Sequence, residues 1–434
     1  MLPAIILFAV TYVLMLVFSK YRPYIALISG VVFIASGMLP IGNVLGELDF
    51  NVLLMIAGTM GLVSLFIESK MPALLADLIM EKVPNVQMAA VALALFSGII
   101  SAFVDNVATV LMLAPVALEI CKKLKTNPVP FIIGIAVSSN LQGAATLVGD
   151  TTAIMLGSAL DMSFLDFIWY QGKPSIFFAV ELGALVSAII LAFIFRKEKL
   201  PIEKNSMRTK VTDYVPTMLL VGAVLLLVCA SFAPQNWNLP SETNGIICCA
   251  LFVCGLIYNF ARKKTLSAVI APIKEIDFET LGLLVGLFLM IGGIKHEGVI
   301  DALANLLAKL GDGNLFLLYT VIVWASVLIS AFIDNIPYVA TMIPVIASLS
   351  VQLSAQMGIA PALAATPLYF GLLSGATLGG NCTPIGASAN IAGIGILRKA
   401  GYEVKNSDFF KIGIPFTFGA IIPAYIYIWL LYGV

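Results

Sequence analysis

The sequence predicts an all-α membrane protein of two inverted-topology repeats, with about ten transmembrane helices, two re-entrant hairpins and two broken helices. Three observations carry this: the apolar composition, the distribution of basic residues and an internal repeat. The 434 residues are 60% hydrophobic and 11% charged, whereas a soluble domain carries about 25% charged residues. Apolar runs near the roughly 17–25 residues needed to cross a bilayer recur along the whole chain. Lipid leaves an unpaired backbone unsatisfied, so the runs are helical. A membrane barrel would need alternating polarity, and these runs are continuously apolar.

In the first copy the runs fall at 2–18, 24–40, 50–68, 88–120, 128–160 and 174–195. In the second they fall at 215–233, 244–260, 279–294, 314–350, 364–397 and 412–433. Runs 88–120 and 314–350 each hold an Asp-Asn pair at mid-length and read as re-entrant hairpins. Runs 128–160 and 364–397 have centres rich in Gly, Thr and Asn and read as broken helices. This divides the chain into repeat one (1–195), a cytoplasmic linker (196–212) and repeat two (213–434). The linker, RKEKLPIEKNSMRTKVT, reads as a solvated loop with no further role. The N-terminal Met1-Leu2-Pro3 lacks a basic n-region, so the first run reads as a retained span.

With the N-terminus placed outside, 21 of the 24 Lys and Arg residues fall on inner loops, and only Lys173, Lys295 and Lys309 fall outside. This is a strong positive-inside division. It supports the hairpins: were 88–120 one ordinary span, Lys122, Lys123 and Lys125 would change sides and every later loop would follow. Two full spans there would leave the division unchanged. In this topology no Lys or Arg lies in a membrane core, and both termini lie outside.

ISAFVDNVATVLMLAPVA (100–117) and ISAFIDNIPYVATMIPVI (329–346) are identical at nine of eighteen positions without a gap. Chance likeness between apolar helices does not reproduce Ser, Asp, Asn and Pro in register. Asp49-Phe50 recurs as Asp277-Phe278, and GAATLVGD (143–150) recurs as GNCTPIGA (380–387). Inverted repeats of this scale mark secondary transporters, whose site lies at the repeat interface near the midplane.

The chemistry sits in the repeated motifs. An Asp at the centre of a span costs about 2.5–3.5 kcal/mol, so Asp105, Asp334 and Asp150 should face a cavity, bind an ion or relay a proton. Capping the backbone at a tip is the plainer role for an Asp, and is compatible with ion binding. Asn106 and Asn335 add an amide carbonyl and a donor, and hard cations such as Na⁺ take oxygen ligands. The candidate Na⁺ ligands are therefore Asp105, Asn106, Asp334 and Asn335. Thr109, Asn140, Thr146, Thr151 and Thr152 cluster in copy one; Asn381, Thr383, Ser388 and Asn390 cluster in copy two. Any one hydroxyl among them is most simply bonded to its own helix, but they gather at the Gly-rich breaks. The copies are unequal: Asp150 corresponds to Ala387, and Pro337-Tyr338 replace Ala108-Thr109.

Other chemistries are poorly supplied. The six cysteines have no CxxC spacing and read as small apolar residues. The single histidine, His296, reads as a solvated loop residue, with external pH sensing as its sharper role. Glu119 and Glu181 read as interfacial carboxylates near span ends. Zero net charge points to no nucleic-acid partner.

FVDNVATVLMLAPV (103–116), NPVP (127–130), DFETLGLLVG (277–286), AFIDNIP (331–337) and LGGNCTPIGASAN (378–390) resemble the ion transporter superfamily. Within it the branch of arsenite permeases, NhaD-type antiporters and the melanosomal P protein is most similar, and the citrate-transporter-like domain is shared. The tips read Asp-Asn where dicarboxylate and citrate carriers have Ser-Asn-Thr, and GDTTA (149–153) stands where P-protein relatives tend to have GDPPN. The resemblance implies a homodimer, a scaffold with a mobile transport domain, elevator-like alternating access, and ion and substrate sites at the tips and breaks.

The expected function is a secondary active transporter that moves an inorganic or organic anion, coupled to Na⁺ or H⁺ and without any other cofactor. A Na⁺/H⁺ antiporter is the alternative within the class. An intramembrane aspartyl protease would use the two membrane aspartates as a dyad, but both lie in duplicated Asp-Asn motifs and residues 147–150 read LVGD rather than GxGD. A channel fits the broken helices less well than alternating access does. The expected location is the cell membrane, as a multi-pass protein.

Overall fold

The computed structural model describes residues 1–124, 126–201, 208–211, 213–234, 237 and 239–433. It is helical almost throughout; one two-stranded ribbon pairs Trp169–Tyr170 with Lys173–Pro174. Among the described residues, seven helices are long and apolar enough to cross a membrane, or nine if each of two bent pairs counts as one span. The first two runs are Leu2–Val17 and Arg22–Ala35, which turn on each other by 116°. Sixteen residues rise only about 24 Å, short of a hydrocarbon core of about 30 Å.

Each Asp-Asn run is a helix, a short break and a second helix. The arms are Val86–Ser101 and Asn106–Leu124 in copy one, and Leu315–Ser330 and Asn335–Met357 in copy two. Each Gly-rich run is also broken, into Pro128–Gly143 and Thr151–Ala159, and into Pro361–Gly379 and Ser388–Lys399. Equivalent residues cap equivalent helices. Asp49 accepts from Val52 N at 3.0 Å, and Asp277 from Thr280 N at 3.0 Å. Asn85 and Asn314 likewise accept from Met88 N (2.9 Å) and Leu317 N (3.0 Å) and open the two hairpins. These short polar side chains satisfy amides that the first helical turn leaves free.

The helix pairing maps onto itself when the copies are exchanged. Phe50–Glu68 packs on Thr243–Lys263 as Phe278–His296 packs on Arg22–Ala35. Val86–Ser101 packs on Pro128–Gly143 as Leu315–Ser330 packs on Pro361–Gly379, and the last helices, Ile176–Ile194 and Asn406–Tyr432, pack on each other. At matching places in the DF-headed helices, Gly58 and Gly286 let backbones meet. A Cβ there would lie 2.6 Å from the Cys248 carbonyl carbon and 2.4 Å from that of Ala26. Small residues allow such close approach where lipid supplies no hydrophobic drive between helices.

The linker differs from the free solvated loop expected. Its residues 202–207 and 212 lie outside the described residues, as does Lys125. On either side, Val86 N donates to Leu200 O (3.1 Å) and Gln87 N to Glu198 O (2.8 Å). Arg208 forks onto Glu81 at 2.7 and 2.8 Å, and Thr209 bonds Asp77 through its amide and hydroxyl at 2.8 and 2.6 Å. The linker is thus tied to the base of hairpin one, where the free amides at a helix start donate to its carbonyls.

Candidate functional site

Each hairpin break is held by the broken helix of its own copy. Thr146 donates to Ala102 O, and the equivalent Thr383 donates to the equivalent Ala331 O. The two loops then press a glycine against carbonyls. A Cβ on Gly149 would lie 2.5 Å from Gly143 O and 2.8 Å from Ser101 O; on Gly386 it would lie 2.7 Å from Gly380 O and 2.8 Å from Ser330 O. Only glycine permits that approach. The helix breaks thereby gather backbone oxygens beside both tips.

The asparagines knit the copies together. Asn106 Nδ2 donates to Asn140 Oδ1 at 2.8 Å, and Asn140 Nδ2 donates to Thr377 O (2.7 Å) and Asn381 Oδ1 (3.1 Å). Asn381 Nδ2 returns to Val137 O at 2.9 Å. Asn390 Nδ2 donates to Gly380 O (2.9 Å) and Thr383 O (3.0 Å), fixing the second break. Thr109, buried, reaches back to Val104 O at 3.5 Å within the first tip.

The acids meet in one cavity of about 710 Å³. Asp105, Asn106, Asp150, Thr151, Asp334, Asn335 and Ser388 line it. Of the residues singled out in the sequence, Thr109, Asn140, Thr146, Asn381, Thr383 and Asn390 stand behind this wall as its supports. The cavity also reaches Glu68, Glu275 and Asp277, and Glu68 pairs with Lys263, so it opens toward the side rich in Lys and Arg. A separate cavity of about 640 Å³ lies by Glu47, Asp49, Asp161, Glu242 and Lys295 and touches none of the three acids. Between the two, Thr151–Ala159 packs against both Phe50–Glu68 and Asn335–Met357.

The tips differ in charge. Asp105 Oδ1 accepts from Val107 N (3.0 Å) and Ala108 N (3.1 Å) as a helix cap. Asp334 Oδ1 accepts from Ile336 N (3.2 Å), while its Oδ2 takes Ser388 Oγ (3.0 Å) and Arg22 Nη1 (3.2 Å). Asp150 Oδ2 accepts from Thr152 Oγ1 at 3.1 Å and from Asn335 Nδ2 of the other copy at 3.4 Å. Among the described residues, the ion pairs include Asp334 but neither Asp105 nor Asp150.

Arg22, expected on an inner loop, reaches the second hairpin tip. It opens Arg22–Ala35, is 17% exposed, and is steadied by Nε donation to Met15 O at 3.2 Å. Tyr12, on the neighbouring helix, hydrogen-bonds Pro337 O (2.6 Å) and Thr341 Oγ1 (2.5 Å) of hairpin two. Because Leu2–Val17 is short and turns back, what the apolar pattern marks as a loop lies level with a hairpin tip. The sequence signal is Arg22-Pro23 at a helix start, masked by Lys20 beside it. Among the described residues no three of His, Cys, Asp and Glu are arranged to hold a metal ion.

Compared with known proteins, residues 10–368 match the family described as Citrate transporter. An uncharacterized transporter of Mycobacterium bovis is 33% identical over 341 residues, covering 78% of this chain and 76% of its own. The human P protein is 27% identical over 448 residues; the match covers 86% of this chain but 52% of the P protein. In fold, the chain is similar to the YdaH transporter of Alcanivorax borkumensis, with a TM-score of 0.60 and 14% identity over 90% of this chain and 87% of that one. The Neisseria gonorrhoeae efflux pump MtrF is similar at a TM-score of 0.56 and 16% identity, over 90% of this chain and 83% of its own.

Proposed function

Because this chain belongs to the citrate transporter family and is a multi-pass membrane transporter, we propose that it is a secondary active transporter moving an anion coupled to Na⁺ or H⁺. The observation that carries this reading is the shared cavity. It brings both tips together with two carboxylates, Asp105 and Asp150, that have no basic partner among the described residues. Two such groups call for mobile cations, either Na⁺ or protons. The carbonyls and hydroxyls beside the tips are oxygen ligands of the kind Na⁺ takes.

The anion would then sit against the co-bound cation, near the starts of Asn106–Leu124 and Asn335–Met357, where the helix dipoles favour negative charge. Arg22 stands behind Asp334 and cancels the charge that would repel an anion there. With the basic loops taken as cytoplasmic, the cavity of Asp105, Asp150 and Asp334 would face inward. Movement of the tips and broken helices past the remaining spans would open the second cavity in turn, in an elevator-like step between the subunits' scaffolds.

The test is uptake by proteoliposomes under imposed Na⁺ or H⁺ gradients, with citrate, dicarboxylates, phosphate and arsenite as candidate substrates. Accumulation of one of them, driven by either gradient, supports the reading. Two uncompensated acids also favour a Na⁺/H⁺ antiporter; that reading wins if no anion moves and Na⁺ drives proton flux.

A further inference from the structure

The span Ile176–Ile194 contains one ionisable residue, Glu181, about a turn and a half from its start. Its place near a span end makes it an interfacial carboxylate by sequence alone. In the structure it is half-buried and lies against Gln142, the second-last residue of the helix Pro128–Gly143, whose Nε2 donates to Glu181 Oε2 at 3.5 Å. Gln142 is 1% exposed, and its Oε1 is a buried acceptor with no partner. The amide is seated over Gly98 of hairpin one, where a Cβ would lie 2.5 Å from that same Oε1.

This arrangement belongs to copy one alone. Gly379 occupies the place of Gln142 in copy two, and a Cβ on it would lie 2.6 Å from Val327 Cα, at the place of Gly98. The glycine has changed partners between the copies. In copy one this opens a slot through which a long amide reaches from the broken helix, over Gly98 of the hairpin, to the neighbouring span.

The geometry points to Glu181 as a proton-binding site: its Oε2 accepts from Gln142 Nε2, and a proton held on its Oε1 is donated to Gln142 Oε1, which closes an acid–amide pair. An ionised carboxylate can take only the Nε2 donor, so it leaves Oε1 unsatisfied and keeps a charge with no basic partner beside it within an apolar span. A carboxylic acid supplies the missing donor and removes the charge. The O–H lies on Glu181 and the lone pair on Gln142, so no further reactant enters.

The surroundings offer no competing charge. Of the helices packed against this span, Val86–Ser101 and Pro128–Gly143 contain no titratable residue. Asn406–Tyr432 contributes Asp408 and Lys411, but the two helices meet at Gly183 and Ala420, which places Lys411 about 14 Å further along the axis. Its tyrosines are engaged elsewhere: Tyr425 with Thr320, Tyr427 with Pro174 O and Tyr432 with Tyr170 O. The site goes beyond the proposed coupling chemistry at Asp105 and Asp150 and does not rest on it.

Infrared difference spectroscopy of the full-length protein in lipid nanodiscs tests this without a transport assay. At neutral pH, Glu181→Gln should remove one protonated-carboxyl band. Gln142→Met should keep that band and shift it to higher frequency, because the acid loses its acceptor; this second variant covers the case in which the first fails to fold. A Glu181→Gln spectrum with every carboxyl band retained, or a band that Gln142→Met leaves in place, overturns the assignment.

Discussion

The two hairpin tips are one motif in two electrostatic settings. Asp105 and Asp334 cap equivalent helices, follow equivalent threonine-held breaks and line the same cavity. Yet Asp334 is paired with Arg22, whereas Asp105 has no basic partner among the described residues and its copy adds Asp150, an acid that copy two replaces with Ala387. Duplication supplied a symmetric frame; a few side chains outside the shared motif divided its labour. The frame belongs to both copies, whereas the acids without a basic partner at the tips and breaks, Asp105 and Asp150, belong to copy one.

If the tips are unequal in this way, Asp105→Asn should have the largest effect. Coupled uptake should fall about a hundredfold or more, as expected from losing ~3 kcal/mol of ion binding, with protein yield and melting temperature unchanged. Near-normal uptake would remove Asp105 from the site. Asp334→Asn should act first on stability, because it strands Arg22. The loss should be about 2 kcal/mol in a denaturation assay, under the roughly 3–5 kcal/mol of a fully buried pair because Arg22 keeps 17% exposure.

The frame, by contrast, should respond alike in both copies. Gly149→Ala and Gly386→Ala each drive a methyl into carbonyl oxygens and should each cost about 1–3 kcal/mol, read as a drop in melting temperature. A large effect in one copy alone would mean that the breaks are not equivalent. The smallest effect is expected at the exposed Glu81–Arg208 pair at the base of hairpin one. Arg208 holds the Glu81 carboxyl below its ordinary value of 4.5. Its small contribution is therefore present above that pH and lost as pH falls through the lowered value. Glu81→Gln should leave uptake at neutral pH unchanged.

Much of the frame was legible because polar residues are conspicuous in apolar runs. Ser, Asp, Asn and Pro in register located the two breaks, and Asp49-Phe50 with Asp277-Phe278 located matching helix starts. Asp105, Asp150 and Asp334 stood out for the same reason. Arg22 did not, because a basic residue beside Lys20 satisfies the positive-inside pattern, and only the short, turned-back first helices bring it level with a tip. The linker's attachment to hairpin one was hidden because backbone pairing leaves little trace in side-chain pattern. The exchange of Gly98–Gln142 for Val327–Gly379 was hidden too, since it lies across two helices rather than along one.

The division between the tips is tested most directly by the double variant Arg22→Gln/Asp334→Asn in reconstituted uptake beside Asp105→Asn. Removing both members of the pair leaves the charge of the site balanced and Asp105 and Asp150 untouched. The double variant should recover the stability lost in Asp334→Asn and retain gradient-driven uptake. Stable double-variant protein as inactive as Asp105→Asn would contradict the account and make Asp334 a direct ligand of the coupling ion.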